Sequence, residues 1–137
     1  MADSGLVRSF QISAVFGQMT VLENVRVALQ RKTRWNYAFW RNQNVLHVLD
    51  DRARELLDMV GLGKWADTPA AELSYGRKRV LELATTIALE PELILLDEPM
   101  AGLGHEDIGP IMQLIQRVAQ GRTVLMVEHN MKVIAEL

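Results

Sequence analysis

The sequence contains no cysteine, which excludes a disulfide framework and any metal site built on thiolates. It has no apolar run of about 18 residues, so no segment is predicted to span a membrane, and its first residues do not predict a secretory signal. The net charge of -2 provides no basic field for nucleic acid. What is present is 137 residues of ordinary globular composition, 49% hydrophobic and 23% charged, which fits one domain.

Short apolar runs alternate with segments of helical periodicity along the chain. Strands are predicted near residues 6–10, 93–97 and 123–128, and the second and third runs are apolar enough for strands covered on both faces. The intervening residues 19–89 show helical periodicity only. This alternation predicts a parallel α/β sheet with a helical subdomain inserted between its strands.

Local signals predict where several helices begin and end. Thr20 and Glu23 have the spacing of a capping box, so a helix is expected to begin there. Ser74 is expected to be the N-cap of another helix. Gly61 and Gly63 are expected to end the helix that precedes them.

Two carboxylates follow the most apolar predicted strand. Asp97 and Glu98 stand at its C-terminal end, which is the end at which parallel sheets bind ligands. One carboxylate there can hold Mg²⁺, directly or through water. The other can polarise a water that attacks a phosphoryl group. A strand that runs into a polar turn has the same residues, so the pair alone leaves both interpretations open.

Three further signals are weak when each is taken alone. Ser74 and Gly76 at a helix start could present N–H groups and a hydroxyl to an anion, although an ordinary N-cap is the favoured interpretation. His129 at the end of the third predicted strand could meet a phosphate, and it could equally be structural. Gln11, in a loop after the first strand, indicates nothing by itself.

Taken in order along the chain, these features resemble the nucleotide-binding domain of ABC transporters. The matching segments are Gln11 for the Q-loop, Leu73–Gly76 for the signature motif, Leu93–Pro99 for Walker B with its catalytic glutamate, Ala101–Gly104 for the D-loop, and His129 for the switch histidine. The resemblance implies a partial P-loop NTPase fold. Its core would consist of residues 1–18 and 90–137, and its helical subdomain, with the signature motif, of residues 19–89.

Within that family, Met19–Asn24 and Val127–Met131 look most like the ATPase subunits of branched-chain amino acid importers. The resemblance implies an ATP hydrolase that uses ATP and Mg²⁺ to drive import of branched-chain amino acids or similar solutes. Its partners would be a second ATPase subunit and transmembrane permease subunits, with no nucleic acid. Its location would be cytoplasmic, peripheral to the inner or plasma membrane through those partners.

The resemblance also implies roles for single residues. Catalysis is assigned to Glu98, His129 and Gln11, the metal to Asp97 and Gln11, and nucleotide binding to Ser74, Tyr75, Gly76, Arg77 and Gly104. Two of these positions depart from the family pattern. Arg77 stands where glutamine is common, and Gly104 stands where the D-loop commonly ends in Asp or Asn. Both departures bear on catalytic competence, and a cation at a helix N-terminus also opposes the helix dipole.

No P-loop motif, G-x-x-x-x-G-K-[ST], occurs in these residues. The only Gly-Lys pair is Gly63-Lys64, with Trp65 after it and Asp58 where the first glycine should stand. The chain therefore resembles a fragment of the ATPase. Because the amides and the lysine that cradle phosphates are missing, we expect very weak ATP binding and no hydrolysis by the chain alone.

The predicted strand at residues 123–128 should be an exposed edge, because in the family's sheet its neighbour is the strand that carries the P-loop. Its apolar side chains include no proline or charge that would blunt the edge, so self-association through this strand is expected.

Two other interpretations of the chain as a whole stay open. A non-catalytic interaction fragment would also lack a P-loop. A DNA-maintenance ATPase of the same superfamily would need a long coiled coil between Gln11 and Ser74, and that segment is too short and has no sustained heptads. The aromatic stretch Trp35–Trp40, flanked by basic residues, fits single-stranded nucleic acid, a membrane interface, a permease partner or local packing.

Overall fold

A computed structural model describes residues 6–9, 15–33 and 43–135. The chain divides into two compact units. One consists of Met1–Ala14 with Glu90–Leu137, and the other of Val15–Leu89. They are called the sheet unit and the helical unit below.

Three strands form the sheet of the first unit: β1 (Leu6–Ser9), β2 (Leu93–Asp97) and β3 (Thr123–Val127). Their order is β1-β2-β3, and both pairings are parallel. The predicted parallel sheet is therefore confirmed, and the 93–97 strand lies at the centre of its described strands. In register, Leu93 of β2 faces Leu6 on one side and Thr123 on the other.

Five α-helices complete the described secondary structure. The helical unit contains α1 (Val21–Thr33), α2 (Gln43–Met59) and α3 (Tyr75–Ala88), with short 3₁₀ turns at Gly63–Trp65 and Ala70–Glu72. The sheet unit contains α4 (His105–Ala119) and α5 (Met131–Ala135).

The predicted beginning of α1 is confirmed as a capping box. The Thr20 N–H donates to Glu23 Oε2 at 2.8 Å, and the Glu23 N–H donates to Thr20 Oγ1 at 3.1 Å. Each side chain thus pairs with an amide that has no partner within the helix.

A Schellman motif ends α2 at the predicted Gly61. Gly61 has φ +78, a conformation that glycine adopts without steric cost. The Gly61 N–H donates to Asp58 O at 3.2 Å and the Leu62 N–H to Leu57 O at 2.8 Å. Gly63, which was also expected to end this helix, instead begins the following 3₁₀ turn.

The helical unit has an apolar interior where α1 packs against both α2 and α3. The apolar residues that recur at helical spacing along α1 are all buried, with Val21 and Val25 fully so. Leu57 from α2 and Leu81 from α3 are also fully buried. Burial of each such side chain contributes about 1.5–3 kcal/mol, so hydrophobic packing stabilises this unit.

The two apolar strands of the sheet unit differ in their cover. Ile94 and Leu96 of β2 are 1% and 3% exposed, whereas Leu125 and Val127 of β3 are 57% and 42% exposed. The cover on both faces that the apolar run 123–127 favoured is therefore wrong, whereas the exposed edge that the family resemblance predicted at this strand is confirmed. The physical reason is position in the sheet, since among the described strands β3 pairs only with β2 and lies at an edge.

Candidate active site

Two of the predicted catalytic residues, Glu98 and His129, come together where β2 and β3 end. Asp97, the last residue of β2, is in register with Val127, the last residue of β3. The pairing continues one step further, because the Glu98 N–H donates to Val127 O at 2.7 Å. Parallel strands thus bring Glu98 and His129 to the same edge, although they are 129 − 98 = 31 positions apart in the sequence.

Glu98 and His129 contact each other directly. His129 Nε2 lies 3.1 Å from Glu98 Oε1, a distance at which a protonated Nε2 donates to the carboxylate. The His129 side chain is 77% exposed and the Glu98 side chain 46% exposed, so the contact contributes little to stability. Its importance is geometric, since it places a carboxylate and an imidazole side by side with access to solvent.

The backbone of Glu98 is strained. Its φ is +48, in the left-handed region that costs an L-residue about 1–2 kcal/mol. Such strain persists only where surrounding contacts hold it. Here the Glu98 N–H is bonded to β3, and Glu98 O accepts the Ala101 N–H at 3.0 Å. The turn that follows therefore directs the Glu98 side chain away from the path of a regular strand.

Glu128 bonds three backbone amides near the catalytic pair, a role that the sequence analysis did not predict. Its carboxylate accepts the Met100 N–H at 3.1 Å through Oε1, and the N–H groups of His129 and Asn130 at 3.1 and 3.3 Å through Oε2. No local pattern in the sequence indicates this role, because Glu128 and Met100 are 28 positions apart.

The predicted signature segment in the helical unit forms an N-cap. Ser74 has extended backbone geometry, and its Oγ accepts the Arg77 N–H at 3.4 Å. Ser74 and Tyr75 are exposed while Gly76 is buried. The exposed Ser74 thus stands at the N-terminus of α3, the end of a helix at which anions bind.

Arg77, the first departure from the family pattern, stacks on an aromatic ring. Its guanidinium carbon lies 4.1 Å from the centroid of the Trp65 ring. Such a cation–π contact is worth about 0.5–1 kcal/mol at exposed sites. It offsets the cost of a cation at the N-terminus of α3.

Arg79 is held one turn into the same helix. It pairs with Glu82 at 2.9 Å and donates to the Tyr75 hydroxyl at 3.0 Å. Burial by itself lowers the pKa of Arg79, but the hydrogen bond and charge of Glu82, with a smaller effect of Tyr75, raise that pKa above its usual value. Arg79 therefore anchors Tyr75 beside Ser74 as a permanent cation.

Gly104, the second departure, is the N-cap of α4 and makes no side-chain cap. Its φ of -68 is accessible to any residue. A Cβ at this position would meet only the Glu106 side chain, at an ordinary contact distance of 3.6 Å. The backbone therefore does not require glycine here, and a polar capping side chain would fit.

The acidic residues at this edge fit a magnesium ion only if the substrate supplies other ligands. Among the described residues, no group of three or more His, Cys, Asp or Glu side chains could hold a metal by itself. Mg²⁺ is usually held by one or two carboxylates together with phosphate oxygens and water. Asp97, half-buried at the end of β2, fits that limited part.

Some predictions lie outside the described residues. Gln11 and the aromatic stretch 35–40 belong to this group. Within the described ranges, no helix has the length and apolar character to cross a membrane.

Comparison with known proteins identifies the class. The ABC transporter family model matches residues 2–101, which is most of the chain. The chain belongs to that family.

Within that family, the chain is similar to ATP-binding proteins of branched-chain amino acid transport. The branched-chain amino acid transport ATP-binding protein LivG is 35% identical in both Salmonella typhimurium and Escherichia coli K12, over 98% of this chain and 55% of the relative. BraF of Pseudomonas aeruginosa, of the same description, is 33% identical over 100% of this chain and 56% of its own length. The chain spans about half the length of these relatives.

Solved structures agree with the fold. The ADP conformation of MJ1267, an ATP-binding cassette of an ABC transporter, superposes with a TM-score of 0.74 at 26% identity, over 98% of this chain and 55% of that one. A nucleotide-free ATP-binding cassette gives a TM-score of 0.76 at 23% identity, which supports the fold alone. The fold class and the resemblance to importer ATPases are thus confirmed.

Proposed function

We propose that this chain carries the hydrolytic half of an ATPase that drives an ABC importer for branched-chain amino acids or similar solutes. The observation that carries the proposal is the pairing of Glu98 with His129 at the end of two parallel strands, beside Asp97. The names of the relatives support the choice of solute class. We further propose a cytoplasmic location, peripheral to the membrane through permease subunits.

The proposed chemistry is attack of water on the γ-phosphorus of ATP. The water oxygen bonds to the γ-phosphorus while Glu98 accepts a proton from that water. The bond between the γ-phosphorus and the β–γ bridging oxygen breaks, which gives ADP and inorganic phosphate. His129 donates a hydrogen bond to a γ-phosphate oxygen. The solvent access of both side chains allows water to enter, and their contact at 3.1 Å holds them ready.

The metal would be held by Asp97 and Gln11, with nucleotide oxygens and water as the remaining ligands. Bound Mg²⁺ supplies neutralisation of the phosphate charge. Gln11 would also orient the water. The nucleotide of a second ATPase subunit would be met by Ser74, Tyr75, Gly76, Arg77 and Gly104.

The assignment of Glu98 is tested by Glu98→Gln in an assembly that contains this chain and hydrolyses ATP. The amide cannot accept the proton, so turnover should fall at least about a hundredfold while ATP binding persists. Glu92→Gln is the matched control, because Glu92 is exposed in the same unit and the variant removes the same charge. An unchanged rate in Glu98→Gln would assign the base elsewhere.

We also propose that the 137-residue chain alone binds Mg-ATP very weakly and does not hydrolyse it. The reason is the missing P-loop motif, whose amides and lysine contribute most phosphate contacts. Calorimetry with Mg-ATP measures this directly. Micromolar affinity would contradict it.

The division of the chain remains part of this proposal, with the ATPase core in residues 1–18 and 90–137 and the helical subdomain in residues 19–89.

We also propose self-association through β3. Leu125 and Val127 are exposed on the edge strand, and pairing with a second copy would cover them. Light scattering of the chain should show a dimer, and replacing both residues with lysine should give a monomer. A wild-type monomer at high concentration would refute self-association.

A further inference from the structure

The regular pairing of β2 with β3 ends at a strained turn. Glu98 donates its N–H to Val127 O, but its φ of +48 takes the chain out of the extended conformation after that bond. The next donor is the amide of Met100, a residue that is 4% exposed. A buried amide without a partner is costly, so its acceptor matters.

The acceptor is the Glu128 side chain, which replaces a backbone carbonyl. Oε1 accepts the Met100 N–H at 3.1 Å. The same carboxylate uses Oε2 to accept the amides of His129 and Asn130, at 3.1 and 3.3 Å. Hydrogen bonds to an ionised acceptor are roughly twice as strong as neutral ones. One half-buried side chain therefore ties two segments that lie far apart in the sequence.

These bonds close a ring around the proposed catalytic pair. Glu98 leads through Pro99 to Met100, Met100 is bonded to Glu128, Glu128 holds the amide of His129, and His129 Nε2 returns to Glu98 Oε1. The left-handed backbone of Glu98, with φ +48, is part of this ring. Strained conformations of this kind require such external support.

We propose that Glu128 is a positioning residue, which holds the backbone on both sides of the Glu98–His129 pair so that the carboxylate and the imidazole face the same point. The inference rests on the proposed function for its catalytic consequence, but not for its structural one. All three hydrogen bonds of the Glu128 carboxylate are to backbone amides, and none is to the Glu98 carboxylate or the His129 imidazole.

The structural part is tested by amide hydrogen exchange on the 137-residue chain without nucleotide. In Glu128→Ala, the amides of Met100, His129 and Asn130 should exchange about tenfold faster or more. The amides of β2 should keep their protection, as should all of these amides in the control Glu92→Gln. Unchanged protection at all three amides would overturn the inference. Equal loss throughout β2 would also overturn it, because Glu128 would then act on the stability of the whole unit.

Glu128→Gln separates the two sides of the ring. Glutamine has nearly the same shape but only one acceptor oxygen. It should therefore protect either Met100 or the His129–Asn130 pair of amides, and not both. Wild-type protection on both sides in this variant would show that the two carboxylate oxygens are not needed together.

The catalytic part is tested in an ATP-hydrolysing assembly that contains the chain. Both Glu128 variants should lower kcat at least about tenfold with KM for ATP changed less than about twofold, because Glu128 is not itself proposed to contact the nucleotide and the pair it positions acts on the reacting γ-phosphate. Normal kcat with disturbed amides would overturn the positioning role in catalysis. Failure of the proposed function is distinguishable, since Glu98→Gln would then leave hydrolysis unchanged while the amide result would stand.

Discussion

The helical unit and the sheet unit differ in how far along the chain a side chain reaches to form a hydrogen bond with a backbone group. In the helical unit, Thr20 and Glu23 cap each other across one turn, and Asn24 bonds a loop eight residues away. In the sheet unit, Met100 depends on Glu128, and Glu98 faces His129. The helical unit has an apolar interior, and the sheet unit holds the strained backbone of Glu98 and the exposed edge strand. The proposed catalytic pair lies in the sheet unit, where contacts between distant residues bring Glu98 and His129 together.

The largest effect that separates the units should come from truncating one leucine in each. Leu57 is fully buried in the helical unit, so Leu57→Ala should cost about 2–5 kcal/mol of unfolding free energy. Leu125 is 57% exposed on β3, so Leu125→Ala should cost less than about 0.5 kcal/mol at low protein concentration. Urea unfolding measures both. Equal costs would show that β3 is covered in solution.

Asn24 gives the next largest effect, through buried hydrogen bonds. It is 2% exposed, accepts the Phe16 N–H at 2.7 Å, and donates to the carbonyls of Phe16 and Thr20 at 3.0 and 2.9 Å. Asn24→Ala leaves these groups unpaired and should cost about 1–3 kcal/mol.

Asn130, in the sheet unit, is the matched control. It is exposed and its Oδ1 accepts one amide, that of Lys132. Asn130→Ala should cost less than about 1 kcal/mol in the same unfolding experiment. The comparison would break down if the two asparagines proved equally important.

The capping box of α1 should have an intermediate effect. Thr20→Ala removes the acceptor for the Glu23 amide and should cost about 1 kcal/mol. Glu55→Ala, which breaks an exposed pair with Arg52, is the control and should cost a few tenths of a kcal/mol. Thermal unfolding followed by circular dichroism would separate them. Similar shifts in Tm for both variants would argue against the cap.

The smallest effect should be a gain at Gly104 in the sheet unit. Gly104→Asn places a capping side chain at the start of α4, where the backbone accepts it and space is available. Stability should rise by a few tenths of a kcal/mol. A loss of stability in urea unfolding would mean that Gly104 is required by contacts other than those of its own backbone.

Much of the helical unit and the order of the sheet could be predicted from the sequence. The capping box at Thr20, the end of α2 at Gly61 and the N-cap Ser74 all depend on residues a few positions apart, and the structure confirms each. The family resemblance predicted that β3 is an exposed edge, and the described strands confirm it. Apolar composition alone favoured cover on both faces of β3, because it does not show which strand lies at an edge.

The sequence by itself determined the parallel α/β class and the residue types at the ends of β2 and β3, because these depend on periodicity and short-range spacing. The resemblance of its motifs to a known family indicated the family. The tertiary structure alone decided that Glu98 is left-handed, that His129 touches it, that Glu128 joins Met100 to His129, and that Arg77 stacks on Trp65. Each of these contacts depends on how strands and turns bring distant residues to hydrogen-bond or van der Waals distance, which no local pattern encodes.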